Sequence, residues 1–405
     1  MLKRVLYFFC LASIVFSCKK DDLTGGSNSS IKVISTVTEP KQVKLVSSND
    51  GTLLALSTSG DLIVPASHQE LILINAGGVV QRRISLSDTL FQHMSAVRGI
   101  NGGFFVCGTS NTFSYIAIYY LDDSGEKLWS KSFTVKFGTS LNEPVAKISP
   151  DNYYQVMYQS YGSGYYIWKG DADGNEVSNI KFPTPNAVHY GSGLNYGERY
   201  SDFFQVNDTL IIAQGITIDR YESDIENCFL RAVNENMVKK WYSDNYDSTH
   251  MESGAGLAYI NDKIILFGSK ADNQYYEYYG DVFARTYSTS GDFEGEIVYP
   301  KVGGSDTRIR QSTPSPDGGF LLVGSNNQYS QGELVSPNNI VLIKLDHNAV
   351  FNWARSIETD SPSKGFDAVY LADGTIGLIG LLKEKENANK IVYMHLDASG
   401  VIVNN

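Results

Sequence analysis

The chain has 405 residues and a formal net charge of −11, with 44 acidic side chains against 33 basic ones and no dense Lys/Arg cluster. Phosphate binding needs concentrated positive charge, which argues against a nucleic-acid partner. With 26 tyrosines and 37 glycines against 11 prolines, the composition suits many short strands joined by tight turns.

Lys3 and Arg4 precede an apolar run from Val5 to Phe16, VLYFFCLASIVF. A positive start followed by about a dozen apolar residues reads as a secretory signal and is too short to span a bilayer. No other segment is apolar for the about 20 residues a spanning helix needs. The run ends Val15-Phe16-Ser17-Cys18 and continues Lys19-Lys20-Asp21-Asp22. Its end resembles the lipobox of bacterial lipoproteins, and the Lys-then-acidic stretch resembles the export tag of Bacteroidota surface lipoproteins. The resemblance implies cleavage before Cys18, a lipid (palmitate-type acyl chains) on that cysteine, and exposure at the outer face of the outer membrane. A plain cleaved signal is the competing reading. Residues 23–30, LTGGSNSS, are Gly/Ser-rich and read as flexible. The expected organisation is a signal peptide at 1–17, a lipidated tether at 18–30 and one body at 31–405.

Within the body a unit recurs. Asn101-Gly-Gly-Phe-Phe-Val-Cys-Gly108 leads to Tyr115–Gly125 and Trp129; Asp317-Gly-Gly-Phe-Leu-Leu-Val-Gly324 leads to Ile340–Asn348 and Trp353; Asp373-Gly-Thr-Ile-Gly-Leu-Ile-Gly380 leads to Ile391–Gly400. The opening Asp/Asn falls at Asp50, Asn101, Asp151, Asn207, Asn261, Asp317 and Asp373, with spacings of 50 to 56 residues. Such periods are propeller blades with long loops. In each unit a turn leads into an unbroken apolar run, which means burial on both faces. Three of the four tryptophans, Trp129, Trp241 and Trp353, share one place in the repeat, as inter-blade packing requires. The pattern resembles propeller repeats of Bacteroidota surface proteins and, more distantly, quinoprotein-like and WD40-like repeats. The expected fold is all-β: a single β-propeller of seven four-stranded blades, with six or eight as alternatives. Either Ile31–Thr38 or Gly400–Val403 supplies the strand that closes the ring.

Cys10 leaves with the signal and Cys18 carries the lipid, so Cys107 and Cys228 remain. They fall two blades apart, too far for the about 7 Å a disulfide allows, and read as buried thiols. No CxxC or HxxxH spacing suggests zinc, and no metal or other cofactor is expected. Asp171-Ala-Asp173-Gly-Asn175 looks calcium-like, but its glycine is misplaced for an EF-hand and it reads better as a hairpin turn.

For ligand binding, the loops between second and third strands and between blades are the candidates. They are expected to hold Tyr161, Tyr165 and Tyr166, then Tyr190, Tyr196 and Tyr200, then Tyr275, Tyr276, Tyr278 and Tyr279, aromatics suited to sugar rings or a peptide. The competing reading is that tyrosine is simply a favoured strand residue. His93, His189 and His250 precede or enter first strands and suggest an axial cluster, although their unequal distances from the turns break the register. Arg308 and Arg310, expected in a blade-to-blade loop, suit a carboxylate. No GxSxG, Walker loop or HExxH is present, and no catalytic residue is assigned. The sequence therefore points to a lipid-anchored, non-enzymatic binding or scaffold module at the cell surface, with a glycan, peptide or outer-membrane protein as partner. A carbohydrate-active lyase or hydrolase with an axial site is the alternative.

Overall fold

In the computed structural model the described residues are 30–403, apart from 38–39, 49–50, 60–68, 87–90, 111–114, 136–143, 161–163, 184–196, 208, 220–224, 245–249, 272–279, 328, 331–332, 335–338 and 384–388. The signal, Cys18 and most of the tether lie outside this set.

Seven four-stranded antiparallel sheets form, one per repeat, and the chain is a seven-bladed β-propeller. The first strands are Pro40–Ser47, Phe91–Arg98, Val145–Ile148, Gly197–Asn207, Met251–Ile260, Asp306–Pro314 and Ser363–Tyr370, opening blades 1 to 7. Apart from one 3-10 turn, Val302–Gly304, every described element is a strand. Six of the seven Asp/Asn positions that define the repeat fall at or beside the turn joining first to second strand, and the seventh, Asp50, lies outside the described residues.

Blade 7 answers the closure question. Its outer strand is the N-terminal Ile31–Val37, paired with Asn389–Leu396 from Ile31↔Met394 to Val37↔Asn389. The C-terminal segment adds only an isolated bridge, Leu396↔Ile402, and one bond from the Val403 N–H to the His395 carbonyl. The ring is thus closed between residues 31 and 396, so no sheet edge is left open at the joint.

The apolar runs explain the stacking. Second strands such as Phe104–Cys107, Ile264–Phe267 and Phe320–Val323 are buried throughout. The outer strand Lys127–Thr134, in contrast, alternates between exposed and half-buried. Buried side chains gather into seven clusters, each shared by one neighbouring pair of blades. Leu54 and Val106 join blades 1 and 2, for example, and Ile34, Val43 and Ile379 join blades 7 and 1. At about 25 cal/mol per Å² these faces supply the main driving force for closure.

One turn is repeated seven times, after the third strand of each blade. The residues at Asn75, Asp122, Asp171, Asn234, Ser288, Asp346 and Asp397 each accept the N–H three positions on and bond the carbonyl four positions on. Their side chains accept a further N–H four residues later, at 2.9 Å from Val79 to Asn75 and 2.8 Å from Asn175 to Asp171. The calcium-like stretch at Asp171 is therefore this hairpin turn. Its Gly174, at φ +71°, packs under Trp129 of the preceding blade; a Cβ there would lie 2.6 Å from the ring. Gly291 and Gly400 meet Trp241 and Trp353 in the same way. The three repeated tryptophans thus seal consecutive blades. Cys107 and Cys228, on blades 2 and 4, are buried and share no disulfide.

Candidate functional site: the axial channel

Seven first strands surround the ring axis and enclose a channel of about 1330 Å³, to which every blade contributes lining residues. Strand alternation selects what faces it. In blade 6, Thr307 and Ile309 are buried in the wall while Arg308 and Arg310 line the channel. In blade 1, Lys44 and Val46 line it together with the more deeply buried Val43 and Leu45. Lys147 of blade 3, Asp202 of blade 4 and Asp367 of blade 7 join them, as do His93 and Arg98 of blade 2.

Most first strands carry a β-bulge, including the shifts at Tyr200/Asp202, Ile309/Gln311 and Gly365/Asp367. A bulge re-aims a side chain, and here it aims polar groups at the next blade. Ser95 Oγ accepts the Ala146 N–H at 3.2 Å, Asp202 Oδ2 accepts the Leu257 N–H at 3.2 Å, and Asp367 Oδ2 accepts the Leu45 N–H at 3.1 Å. The last of these spans the ring joint. The other carboxylate oxygens are also engaged: Asp202 Oδ1 by the Phe203 N–H at 2.9 Å and Lys147 Nζ at 2.7 Å, Asp367 Oδ1 by the Ala368 N–H at 2.8 Å. Burial pushes the Asp367 carboxyl up to about 6, against the pull of the Leu45 N–H, Lys44, the Ala368 N–H and Lys147.

Among the described residues, the channel lining carries five cations (Lys44, Arg98, Lys147, Arg308, Arg310) and two carboxylates, Asp202 and Asp367. The guanidinium of Arg310 lies over the Phe366 ring at 5.1 Å, and Lys44 Nζ donates to Ser95 Oγ at 3.4 Å. Hydroxyls of Ser201, Ser312 and Thr313 complete a polar wall.

Arg308 and Arg310 are not in a blade-to-blade loop, as expected from sequence, but in the first strand of blade 6. Tyr165 and Tyr166 are likewise not loop residues. They lie in the third strand of blade 3, Gly164–Gly170, at 3% and 4% exposure. The connection before that strand is short, so both rings fall inside the sheet. Tyr166 stacks on Tyr158, and Tyr165 meets Tyr200 edge-on at 4.7 Å while its hydroxyl accepts the Tyr200 N–H. Tyr200 itself is a wall residue of the channel. Tyr161, Tyr190, Tyr196, Tyr275, Tyr276, Tyr278, Tyr279 and His189 lie outside the described residues. His93 lines the channel, whereas His250 stands just ahead of Met251–Ile260 and is absent from the described lining. Among the described residues no group of three or more His, Cys, Asp or Glu side chains is placed to hold a metal ion.

Sequence reasoning missed Lys44, Lys147, Asp202 and Asp367. A signal existed for two of them: Lys44 and Asp367, like Ser95, stand four residues before the residue that opens the following turn (Ser48, Leu371 and Gly99).

No family model and no curated protein matches the chain. Among solved structures, the chain is similar to one titled "Crystal structure of BBS1N in complex with ARL6DN, soaked with lead". The identity is 11% and the TM-score 0.44, over 90% of this chain and 97% of that one.

Proposed function

We propose that this protein is a lipid-anchored binding module of the cell surface that takes its ligand at the axial channel of the propeller. The fold fits a binding or scaffold role, and the channel carries the proposal: all seven blades converge on one concave, polar-lined space. Concave sites with a few convergent polar groups are where ligands bind. The resemblance of Ser17-Cys18-Lys19-Lys20-Asp21-Asp22 to surface-lipoprotein leaders supports the anchor and the location. A glycan, a peptide or an outer-membrane protein are the partners considered, with a glycan favoured by the hydroxyl-rich wall.

Two experiments test this. Palmitate labelling of the full chain is expected to disappear in Cys18→Ala; labelling that survives overturns the anchor. A glycan and peptide binding screen on residues 30–405, a complete ring, is expected to return a ligand. A blank screen, with cross-linking that captures one membrane protein instead, would replace the reading with an assembly role.

A carbohydrate-active enzyme is the second reading, favoured by the two carboxylates, Asp202 and Asp367, on one channel. Both already accept main-chain N–H groups, which assigns them first to the ring. Release of new reducing ends from a glycan, lost in Asp367→Asn while urea melts show the fold retained, would favour the enzyme.

A further inference from the structure

We propose that the cleft between blades 3 and 4 is a second binding site, which takes an arginine side chain presented by a peptide or protein partner. This goes beyond the axial reading and does not depend on it.

The repeat shows what this joint lacks. Three blades place a tryptophan at one register position of the fourth strand: Trp129 opposite Tyr120, Trp241 opposite Ala232 and Trp353 opposite Lys344. Blade 1 has Arg82 there, opposite Leu73. Its Nη1 crosses to the turn of blade 2, donating to the Ser124 carbonyl at 3.3 Å and to Glu126 at 2.7 Å. Blade 5 has Gly295, but Tyr299 bridges that joint by donating to the Ala349 carbonyl at 2.7 Å. Where blade 7 meets blade 1, Tyr393 donates to the Ala76 carbonyl at 2.8 Å. Six joints are thus spanned by a large side chain. Blade 3 has Ser178 at the position, opposite Lys169.

A cleft of about 290 Å³ lies at this joint, lined by Ser178 and Gln155 of blade 3 and by Gln205, Glu235 and Met237 of blade 4. Gln155 is 2% exposed; its Nε2 donates to Gln205 Oε1 at 2.7 Å, while its own Oε1 has no partner among the described residues. A buried acceptor without a donor is costly, and a donor entering the cleft relieves it. Met237, at φ +58°, stands where five blades have glycine in the same turn. In the tryptophan-sealed joints that glycine lies against the indole with no room for a Cβ, so Met237 excludes an indole from the same pose. The pose of Arg82 stays open, because a Cβ on Gly125 would meet Ile84 and Leu73 instead. Glu235 makes no ion pair among the described residues and offers a carboxylate. Lys169 is the cation of the described lining, and it is held by Asp151 at 2.7 Å and lies over the Tyr153 ring. Ile167, Ile211 and Met237 give apolar surface to the guanidinium face and its methylene stem.

The test titrates residues 30–405, isotope-labelled at the methionine methyls, with acetyl-Gly-Arg-Gly-amide and its lysine and citrulline counterparts, followed by NMR. The arginine peptide is expected to shift the Met237 resonance, assigned with Met237→Leu, and to bind at least about tenfold more tightly than the other two. Ser178→Arg supplies a guanidinium from the strand itself; it is expected to move the Met237 resonance without peptide and to weaken peptide binding at least about tenfold. Gln155→Leu, which removes the unpartnered acceptor, is expected to lose about tenfold. Urea midpoints measured alongside separate lost binding from lost folding, and the comparison of the three peptides needs no variant. A Met237 resonance that none of the peptides moves leaves the cleft to water and overturns the proposal. Equal binding of the citrulline peptide, or undiminished binding by Ser178→Arg, overturns it too. Ser178 lies outside the described channel lining, so glycan binding that persists in Ser178→Arg keeps the axial reading whichever way the cleft result falls.

Discussion

Replacing Ile34 by alanine removes most of a side chain from the joint where the ring closes. Ile34 is 1% exposed and packs with Val43, Leu45, Ile379 and Ile391, residues of blades 1 and 7. Truncations of this kind cost about 2–5 kcal/mol, the transfer term plus the cavity left behind. Because the strand lies at a sheet edge and can relax, about 3 kcal/mol is expected. Its neighbour Val33, 51% exposed, provides the control: Val33→Ala on the same strand is expected to stay within about 0.5 kcal/mol. Ile402, half-buried near Leu396, tests the rival terminus and is expected to cost about 1 kcal/mol or less on truncation. The assay is urea unfolding of residues 30–405, read from midpoints at unchanged slope. If Ile402→Ala costs more than Ile34→Ala, the C-terminal segment closes the ring and the packing argument is wrong.

Three further outcomes follow from the packing and charge geometry. Gly174→Ala combines a left-handed backbone with the Trp129 ring 2.6 Å away, whereas Gly374, at φ +83°, has nothing within 4 Å; Gly374→Ala should cost about 1–2 kcal/mol and Gly174→Ala at least 1 kcal/mol more, and equal losses in urea melts would remove the seal assigned to Trp129. Asp367 has its carboxyl raised to about 6 from 3.8, so the folded state holds a proton that the unfolded state releases. Stability from this group is full below about pH 4 and is lost as pH rises through about 6, an effect of up to about 3 kcal/mol. Asp367→Asn, neutral throughout, should therefore gain on the wild type between pH 4 and pH 7, and a pH-independent difference would refute the assignment. Buried Glu252 takes a bidentate pair from Arg285, which also bonds Glu296 at 2.7 Å; Glu252→Ala should cost about 3–5 kcal/mol by stranding the guanidinium, and a double change with Arg285→Met should cost less than the sum of the two.

The fold was legible because its signal repeats. Turn residues at steady spacing, apolar second strands and the three tryptophans each recur, and a repeat averages out the weakness of any one copy. Ring closure was not legible, since Ile31–Thr38 and Gly400–Val403 both alternate well and only pairing with Asn389–Leu396 separates them. The site was harder to read. Arg308 and Arg310 drew attention as a charge pair but were placed in a loop, because bulged first strands break the period-two pattern that would mark them as strand. Lys44, Lys147, Asp202 and Asp367 come from four blades, and nothing local in sequence joins them; the ring does. Tyr165 and Tyr166 misled because a Tyr-rich run looks the same whether it packs between blades or faces a ligand.

The most direct measurement is a crystal structure of residues 30–405 soaked with the ligand that the glycan and peptide screen returns. Ligand density on the axis, in contact with the first strands of several blades, is the expected result. Ordered ligand on the outer rim or in a cleft between blades, with the axis left to solvent, would contradict it.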